Sequence, residues 1–283
     1  MRDIILEVCV DSLESASAAV EGGARRLEVC GNLPLFGGTT PSLGLVRSIQ
    51  KYFPSVPLMV GTHTSVVMIR PRVGDFVFSA EEIETMMEDI STFRTLGVHG
   101  VVIGALLSDG SVDREACTRL TVAALPMQVT FHRAFDLTAD PNQALKDIAK
   151  IPGITRILTS GHATPRVYEP TSLERLAELV ASALSTYQPN KGPHHIADAT
   201  LRIVPGSGIN PQTIGRVFSA VGELVDEYHM SGGSWIDGPA HICRGEEFQM
   251  GPRGHERAVW KTDASQVRGV VQALAQMRGG LNA

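Results

Sequence analysis

The stretch QVTFHRAFDLTADPNQALKDIAKIPGITRILT, residues 128–159, contains a complete strand, helix and strand unit. Residues 128–131 and 156–159 are short runs that contain β-branched residues, which favours strands at both ends. Between them, Asp140 followed by Pro141 is typical of a helix start, because aspartate caps the first backbone N–H groups and proline fits the first turn. Two strands joined in this way predict a parallel pair linked by a crossover helix.

The same alternation of short strands and amphipathic helices runs along all 283 residues. We predict eight strands, at residues 4–9, 26–30, a run ending near Ile69, 100–103, 128–131, 156–159, 202–205 and 227–230. Ser79 with Glu82 predicts a capping box, and Thr40 with Pro41 predicts another helix start. Eight such units close naturally into a barrel of about 250 residues. The predicted fold is therefore an α/β (β/α)₈ TIM-type barrel, with residues 1–283 forming a single domain.

The position of the third strand, two segments that exceed a minimal barrel, and an alternative fold need separate mention. The third strand could be residues 57–60, residues 66–69, or a bulged combination of the two. The polar segment 186–200 and the segment 232–262 exceed a minimal barrel and are predicted to be surface excursions. An open doubly wound sheet is the alternative fold, but the Gly-x-Gly-x-x-Gly turn expected after its first strand is replaced by Cys-Val-Asp-Ser at residues 9–12.

Composition excludes several classes of function. The net charge is −5 and the 25 lysines and arginines are scattered, so a nucleic-acid partner is not expected. The apolar run in residues 1–10 is too short for a signal peptide or a membrane span, which predicts a cytoplasmic protein without a membrane partner. The four cysteines at 9, 30, 117 and 243 form no CxxC pair, so we expect free thiols and no structural zinc.

The tetrapeptide Leu-Glu-Val-Cys occurs at the ends of the first two predicted strands, at residues 6–9 and 27–30. Since side chains alternate along a strand, Glu7 shares a face with Cys9, and Glu28 shares a face with Cys30. A carboxylate buried beneath the outer helices would be very costly, so both pairs should point into the barrel. The two thiolates could then share a soft ion such as Cu(I). Buried cysteines that only pack as small apolar groups remain the alternative.

Polar residues also follow most of the other predicted strands, where barrel active sites are built. The pocket candidates from these strand ends are Arg70, Arg72, Asp75, His132, Arg133, Asp136 and His229. The turn Gly206, Ser207, Gly208 precedes a helix and resembles a phosphate-binding turn. Together these residues indicate an enzyme that acts on a small anionic substrate, for which phosphate is one candidate group.

Five motifs resemble the CutC family of copper homeostasis proteins. They are Glu-Val-Cys-Val-Asp-Ser (7–12), Gly-Gly-Thr-Thr-Pro-Ser (37–42), Met-Ile-Arg-Pro-Arg (68–72), Thr-Phe-His-Arg-Ala-Phe-Asp (130–136) and Leu-Thr-Ser-Gly (158–161). The resemblance extends from about Leu6 to Arg268. Val73 stands where the family usually has glycine, and Phe36 stands where it usually has glutamate.

The resemblance implies a TIM-type barrel that self-associates as a homo-oligomer and handles copper. It aligns Cys9 and Cys30 with the cysteines proposed to bind Cu(I) in the family. Three hypotheses therefore stand: a Cu(I)-binding homeostasis protein, an enzyme acting on a small anion, and a self-associating scaffold with a vestigial pocket. We rank copper binding first on the strength of the resemblance, whereas the ionisable side chains by themselves favour an enzyme.

Overall fold

The structure is a computed structural model that describes residues 3–54, 64–186, 201–239 and 252–280. Within these residues, eight parallel strands form one sheet that curls into a nearly closed barrel. The strands are β1 (Ile5–Val10), β2 (Arg26–Val29), β3 (Thr64–Met68), β4 (Gly100–Ile103), β5 (Gln128–Phe131), β6 (Ile154–Thr159), β7 (Arg202–Pro205) and β8 (Glu227–Met230). The predicted TIM-type barrel is confirmed.

Helices alternate with the strands on the outside of the barrel. Their bounds are α1 (Leu13–Glu21), α2 (Leu33–Phe36), α3 (Leu43–Tyr52), α4 (Ala80–Thr95), α5 (Arg114–Ala124), α6 (Pro141–Ile148), α7 (Pro170–Thr186), α8 (Ile214–Val221) and α9 (Ala264–Gly280). The Ser79 and Glu82 capping box begins α4, and Asp140 caps α6, as predicted. The predicted start at Thr40 is wrong, because Ser42 accepts from the Leu45 N–H and begins α3 two residues later.

The strands follow one another around the barrel in the order β7, β6, β5, β4, β3, β2, β1, β8. The hydrogen-bonded ladder leaves β7 and β8 as its two ends. Arg202 on β7 donates from Nη1 to Glu227 Oε1 on β8 at 2.5 Å, so an ion pair joins the ends where no ladder does. Glu227 also accepts from Arg156 on β6, which places these side chains inside the barrel.

Because side chains alternate along each strand, they pack either outward, under the helices, or inward, inside the barrel. Outward side chains such as Val8 and Leu27 belong to the large apolar core between strands and helices. Inside the barrel, a smaller apolar cluster holds Cys9, Cys30, Val66, Met68 and Val102. The two Glu-Cys pairs thus lie on the inner face, where neighbouring strands bring polar groups together.

The segment after β8 forms a two-stranded antiparallel hairpin, β9 (Gly233–Asp237) and β10 (Ala258–Thr262). It lies in the predicted excursion 232–262, of which residues 240–251 fall outside the described part of the chain. The other predicted excursion, 186–200, is described only at its first residue, the end of α7. For the third strand the structure gives β3, close to the 66–69 alternative. No helix of the described ranges is both long and apolar enough to cross a membrane.

Candidate functional site

A cavity of about 900 Å³ opens at the carboxyl ends of the strands. Polar groups from β1, β2 and β8 and from the loops after β3, β5 and β7 line it, together with residues of the β9–β10 hairpin. The predicted site residues among its walls are Cys9, Glu28, Arg70, His132, Arg133, Asp136, Ser207, Gly208 and His229. The structure therefore brings most of the sequence candidates into one pocket.

Cys9, Glu28 and His229 form a cluster in this cavity. One ligand atom from each lies within 4.8 Å of the others, and all three side chains are buried. The ladder explains the juxtaposition, because Cys9 on β1 is directly opposite Glu28 on β2 and Glu7 is directly opposite His229 on β8. The ring atom Nε2 of His229 lies 3.8 Å from Glu28 Oε2. The second carboxylate oxygen of Glu28 is buried without a hydrogen-bond partner.

Glu7 lies outside the cavity lining and orients His229. The Nδ1–H of His229 donates to Glu7 Oε1 at 2.6 Å, which leaves Nε2 on the side of Glu28. Arg26 Nε contacts the other oxygen of Glu7. Burial works to raise the pKa of Glu7, but Arg26 and His229 outweigh it and hold that pKa well below its usual range. Glu7 is therefore a carboxylate that fixes the histidine tautomer, as in many metal sites.

The same charges act on the cluster itself. Burial raises the pKa of Glu28 to about 7, and the Glu7 carboxylate acts in the same direction while His229 opposes it. Burial works to lower the pKa of His229, but Cys9, Glu7 and Glu28 outweigh it, so that pKa lies well above its usual value. An imidazole facing several acidic groups holds a proton more tightly than one in water.

Sequence analysis missed a buried ionic network that involves three arginines. Glu227 accepts from Arg26 Nη2 at 2.6 Å and from Arg156 Nε at 2.7 Å, in addition to Arg202. Burial works to raise the pKa of Glu227, but Arg26 and Arg156 outweigh it and lower that pKa to about 2. Strand alternation could have found the network, because Arg26 and Glu227 each lie two residues before a predicted site residue.

Burial disfavours the thiolate form of both cysteines at the strand ends. Burial raises the pKa of Cys9, and burial with the nearby Glu28 carboxylate raises that of Cys30 well above its usual value. Cys30 is fully buried, does not line the cavity, and packs where a Cβ on Gly38 would lie 3.2 Å from its sulfur. Cys9, Cys30 and Cys117 are free thiols, and Cys243 lies outside the described residues. A thiolate at Cys9 or Cys30 thus requires a cation that compensates for its burial.

His132 follows β5 and begins a short 3-10 turn, residues 133–137. Its Nδ1 accepts from the backbone N–H of Ala134 at 3.1 Å, so the proton of the neutral ring resides on Nε2. Burial and the Arg70 guanidinium lower the pKa of His132 to about 3. The Nε2 atom is buried and has no hydrogen-bond partner among the described residues. The ring is therefore a neutral donor whose proton is unused.

Two arginines line the cavity near His132. Arg70 stacks on Phe76, with its guanidinium carbon 4.7 Å from the ring centre, and donates to the Gly38 and Gly74 carbonyls. Arg133 donates from Nε to Asp136 at 2.8 Å and from Nη1 to Ser207 Oγ at 3.2 Å. The backbone of Ser207 is left-handed, with φ at 75°. This conformation keeps the predicted anion-binding turn against Arg133.

Besides Glu7 and Cys30, three further candidates do not line the cavity. Arg72 and Asp75 do not line the cavity: Arg72 contacts Asp75 at 3.0 Å and Glu82 at 2.5 Å, and so ties the loop after β3 to the start of α4. A Cβ at Gly206 would lie 2.7 Å from Leu158 Cδ1 on β6 and 3.3 Å from the Cβ of His229 on β8. The absence of a side chain at Gly206 therefore lets the turn after β7 pack closely against both neighbouring strands.

A family model described as the CutC family matches residues 4–234, which include the cluster, its carboxylate partner and His132. The chain belongs to the CutC family. It is 39% identical to a CutC family protein of Chromobacterium violaceum over 96% of this chain and 98% of the relative. It is 37% identical to the mouse copper homeostasis protein cutC homolog over 96% of this chain and 89% of the relative.

The crystal structure of CutC from Streptococcus agalactiae has the same fold. It superimposes with a TM-score of 0.66 at 28% identity, covering 81% of this chain and 98% of the other. The hairpin β9–β10 extends past the matched residues, since β10 begins at Ala258. Trp260 of this hairpin lines the cavity, so part of the wall lies outside the residues that the family model matches.

Proposed function

We propose that this protein serves copper homeostasis by binding Cu(I) through Cys9 at the floor of the barrel cavity. The cluster of Cys9, Glu28 and His229 is the observation that supports it most directly. Thiolate and imidazole are the donors that copper sites use, and two of them satisfy Cu(I). The relatives described as copper homeostasis proteins support the same assignment.

The residues of the cluster fit a bound cation on physical grounds. Glu28 has a buried oxygen without a hydrogen-bond partner, which would be costly unless a cation or a proton accompanies it. His229 is held by Glu7 with its Nε2 toward the cluster, the orientation of a metal-bound imidazole. A positive ion would also permit a thiolate at Cys9, whose burial otherwise favours the protonated form.

Cys30 is our proposed second ligand, from the family resemblance and from its membership in the same apolar cluster as Cys9. His229 is the alternative second ligand for Cu(I), because it belongs to the compact group with Cys9 and Glu28 and Cys30 does not. The two versions differ in donor set, as S,S or S,N coordination, and both use Cys9.

A competition titration against a Cu(I) chelator tests the proposal and separates its versions. Cys9→Ser should weaken binding by more than about a hundredfold, beyond the roughly 10- to 100-fold typical of an outer partner. An equal loss in Cys30→Ser supports the S,S version, and an equal loss in His229→Gln supports the S,N version. Cys117→Ser is the matched control, since Cys117 is a buried thiol outside the cavity lining. Equal affinity for Cys9→Ser and Cys117→Ser would overturn copper binding at this site.

Three further proposals accompany this one. The location is cytoplasmic, where thiols stay reduced, and the protein forms a homo-oligomer, as the family resemblance implies. The cavity also holds a small anionic ligand, supported by Arg133 beside the Ser207 and Gly208 turn. Phosphate should then raise the melting temperature, and Arg133→Ala should remove that rise. An equal rise in the variant would place the anion elsewhere.

A further inference from the structure

The copper site leaves the buried Nε2–H of His132, in the cavity wall, without a role. A metal at Cys9, Glu28 and His229 would account for the unpartnered oxygen of Glu28, but His132 belongs to a different strand end and is not part of that cluster. Among the described residues, its Nε2 has no hydrogen-bond partner. Since a buried donor without an acceptor loses its hydrogen bond to water and gains none in return, such an atom in a cavity wall indicates a ligand that supplies the acceptor.

The environment of His132 selects the kind of acceptor. The Ala134 N–H fixes Nδ1 as the accepting nitrogen, so Nε2 can only donate. The ring packs against Gly104, where a Cβ would lie 2.5 Å from it, and against Phe76 at 4.8 Å between ring centres. The ring is thus held rigidly. Arg70 adds positive potential beside it, which favours an oxygen rich in electron density.

We propose that the anionic ligand of this cavity is a carbonyl compound, whose carbonyl oxygen accepts a hydrogen bond from the Nε2–H of His132. This inference rests on the proposed anion site at Arg133 and names its substrate class: a small molecule with a carboxylate or phosphate group and a ketone or aldehyde. A neutral histidine donor of this kind polarises the carbonyl and stabilises negative charge that develops on its oxygen.

Two variants of His132 separate hydrogen-bond donation from Nε2 from the capping of the Ala134 N–H by Nδ1. His132→Asn retains an oxygen near the position of Nδ1, so it can still cap Ala134, but it lacks the Nε2–H group. His132→Gln places an amide N–H near the position of Nε2 and loses the cap. If His132 acts only through the cap, His132→Asn should preserve ligand binding and His132→Gln should weaken it. If the Nε2–H donates to the ligand, His132→Asn should weaken binding and His132→Gln should preserve it.

The probes are matched pairs with and without the carbonyl: 2-oxoglutarate against glutarate, and dihydroxyacetone phosphate against glycerol 3-phosphate. Binding to the metal-free protein is measured by calorimetry. In the wild type, at least one carbonyl compound should bind about tenfold more tightly than its partner, the equivalent of one hydrogen bond. His132→Asn should abolish that ratio and His132→Gln should largely preserve it. The ¹³C resonance of the bound carbonyl should shift in wild type and not in His132→Asn.

The outcomes distinguish failure of the His132 inference from failure of the proposed anion site at Arg133. If no member of either pair binds, the anion site itself fails and the inference fails with it. If glutarate or glycerol 3-phosphate binds as tightly as its carbonyl partner, or if His132→Asn leaves the ratio unchanged, the anion site stands and the role of His132 is overturned. Preference within the first pair identifies a carboxylate ligand, and within the second a phosphate ligand. Cu(I) affinity should be the same in His132→Asn and wild type.

Discussion

Glu227 lies where three guanidinium groups converge inside the barrel, and Glu227→Gln removes the charge that they share while retaining the size of the side chain. The wild-type carboxylate is almost fully buried and accepts from Arg26, Arg156 and Arg202 at 2.5 to 2.7 Å. Its pKa of about 2, against 4.5 for an ordinary glutamate, corresponds to about 3 kcal/mol at about 1.4 kcal/mol per pKa unit. Removing one partner of a buried ion pair generally costs about 3–5 kcal/mol of stability, which agrees with this value. We expect Glu227→Gln to lower the free energy of unfolding by about 3 kcal/mol at pH 7.

The low pKa of Glu227 also determines how its contribution to stability changes with pH. Because the folded pKa lies below the unfolded one, the stabilisation is fully present above pH 4.5 and is lost as pH falls toward 2. Urea unfolding of wild type and variant, followed by circular dichroism, should therefore show a gap at pH 7 that narrows between pH 4.5 and 3. Glu223→Gln, an exposed position nearby, is the control and should change stability by less than about 0.5 kcal/mol. A gap below about 1 kcal/mol at pH 7, or one that is no smaller at pH 3 than at pH 7, would refute this account of the network.

Two other substitutions test the positioning of the site. Glu7→Gln should reduce Cu(I) affinity by roughly 10- to 100-fold, because His229 loses the carboxylate that orients it; chelator competition measures this, and an affinity within twofold of wild type would contradict it. Gly104→Ala should destabilise the protein by about 1–3 kcal/mol, since the added Cβ would lie 2.5 Å from the His132 ring. Gly215→Ala, in open space on α8, is its control in thermal unfolding and should be neutral or slightly stabilising; equal effects of the two alanines would contradict the prediction.

The barrel could be predicted because its signals are local. β4, β5, β7 and β8 have the predicted bounds, since each is a short segment between helix-forming segments in which every second residue is apolar. The start of α3 was misplaced because Thr40 and Pro41 satisfy the local rule for a helix start, while the structure uses Thr40 elsewhere: its hydroxyl accepts from the Arg70 N–H at 3.0 Å. A contact between residues 30 positions apart leaves no trace in a local pattern.

The sequence by itself determined which residue types reach the inner face at the strand ends, because alternation along a strand and the avoidance of buried charge are properties of each segment alone. Only the tertiary structure decided which of them meet. The stagger between strands sets Cys9 beside Glu28, places Cys30 outside that compact ligand group, and turns His229 onto Glu7 from a strand 222 residues away. It also brings Glu227 to arginines on three other strands. These pairings depend on the register and closure of the whole barrel, which arise from the packing of all eight units together.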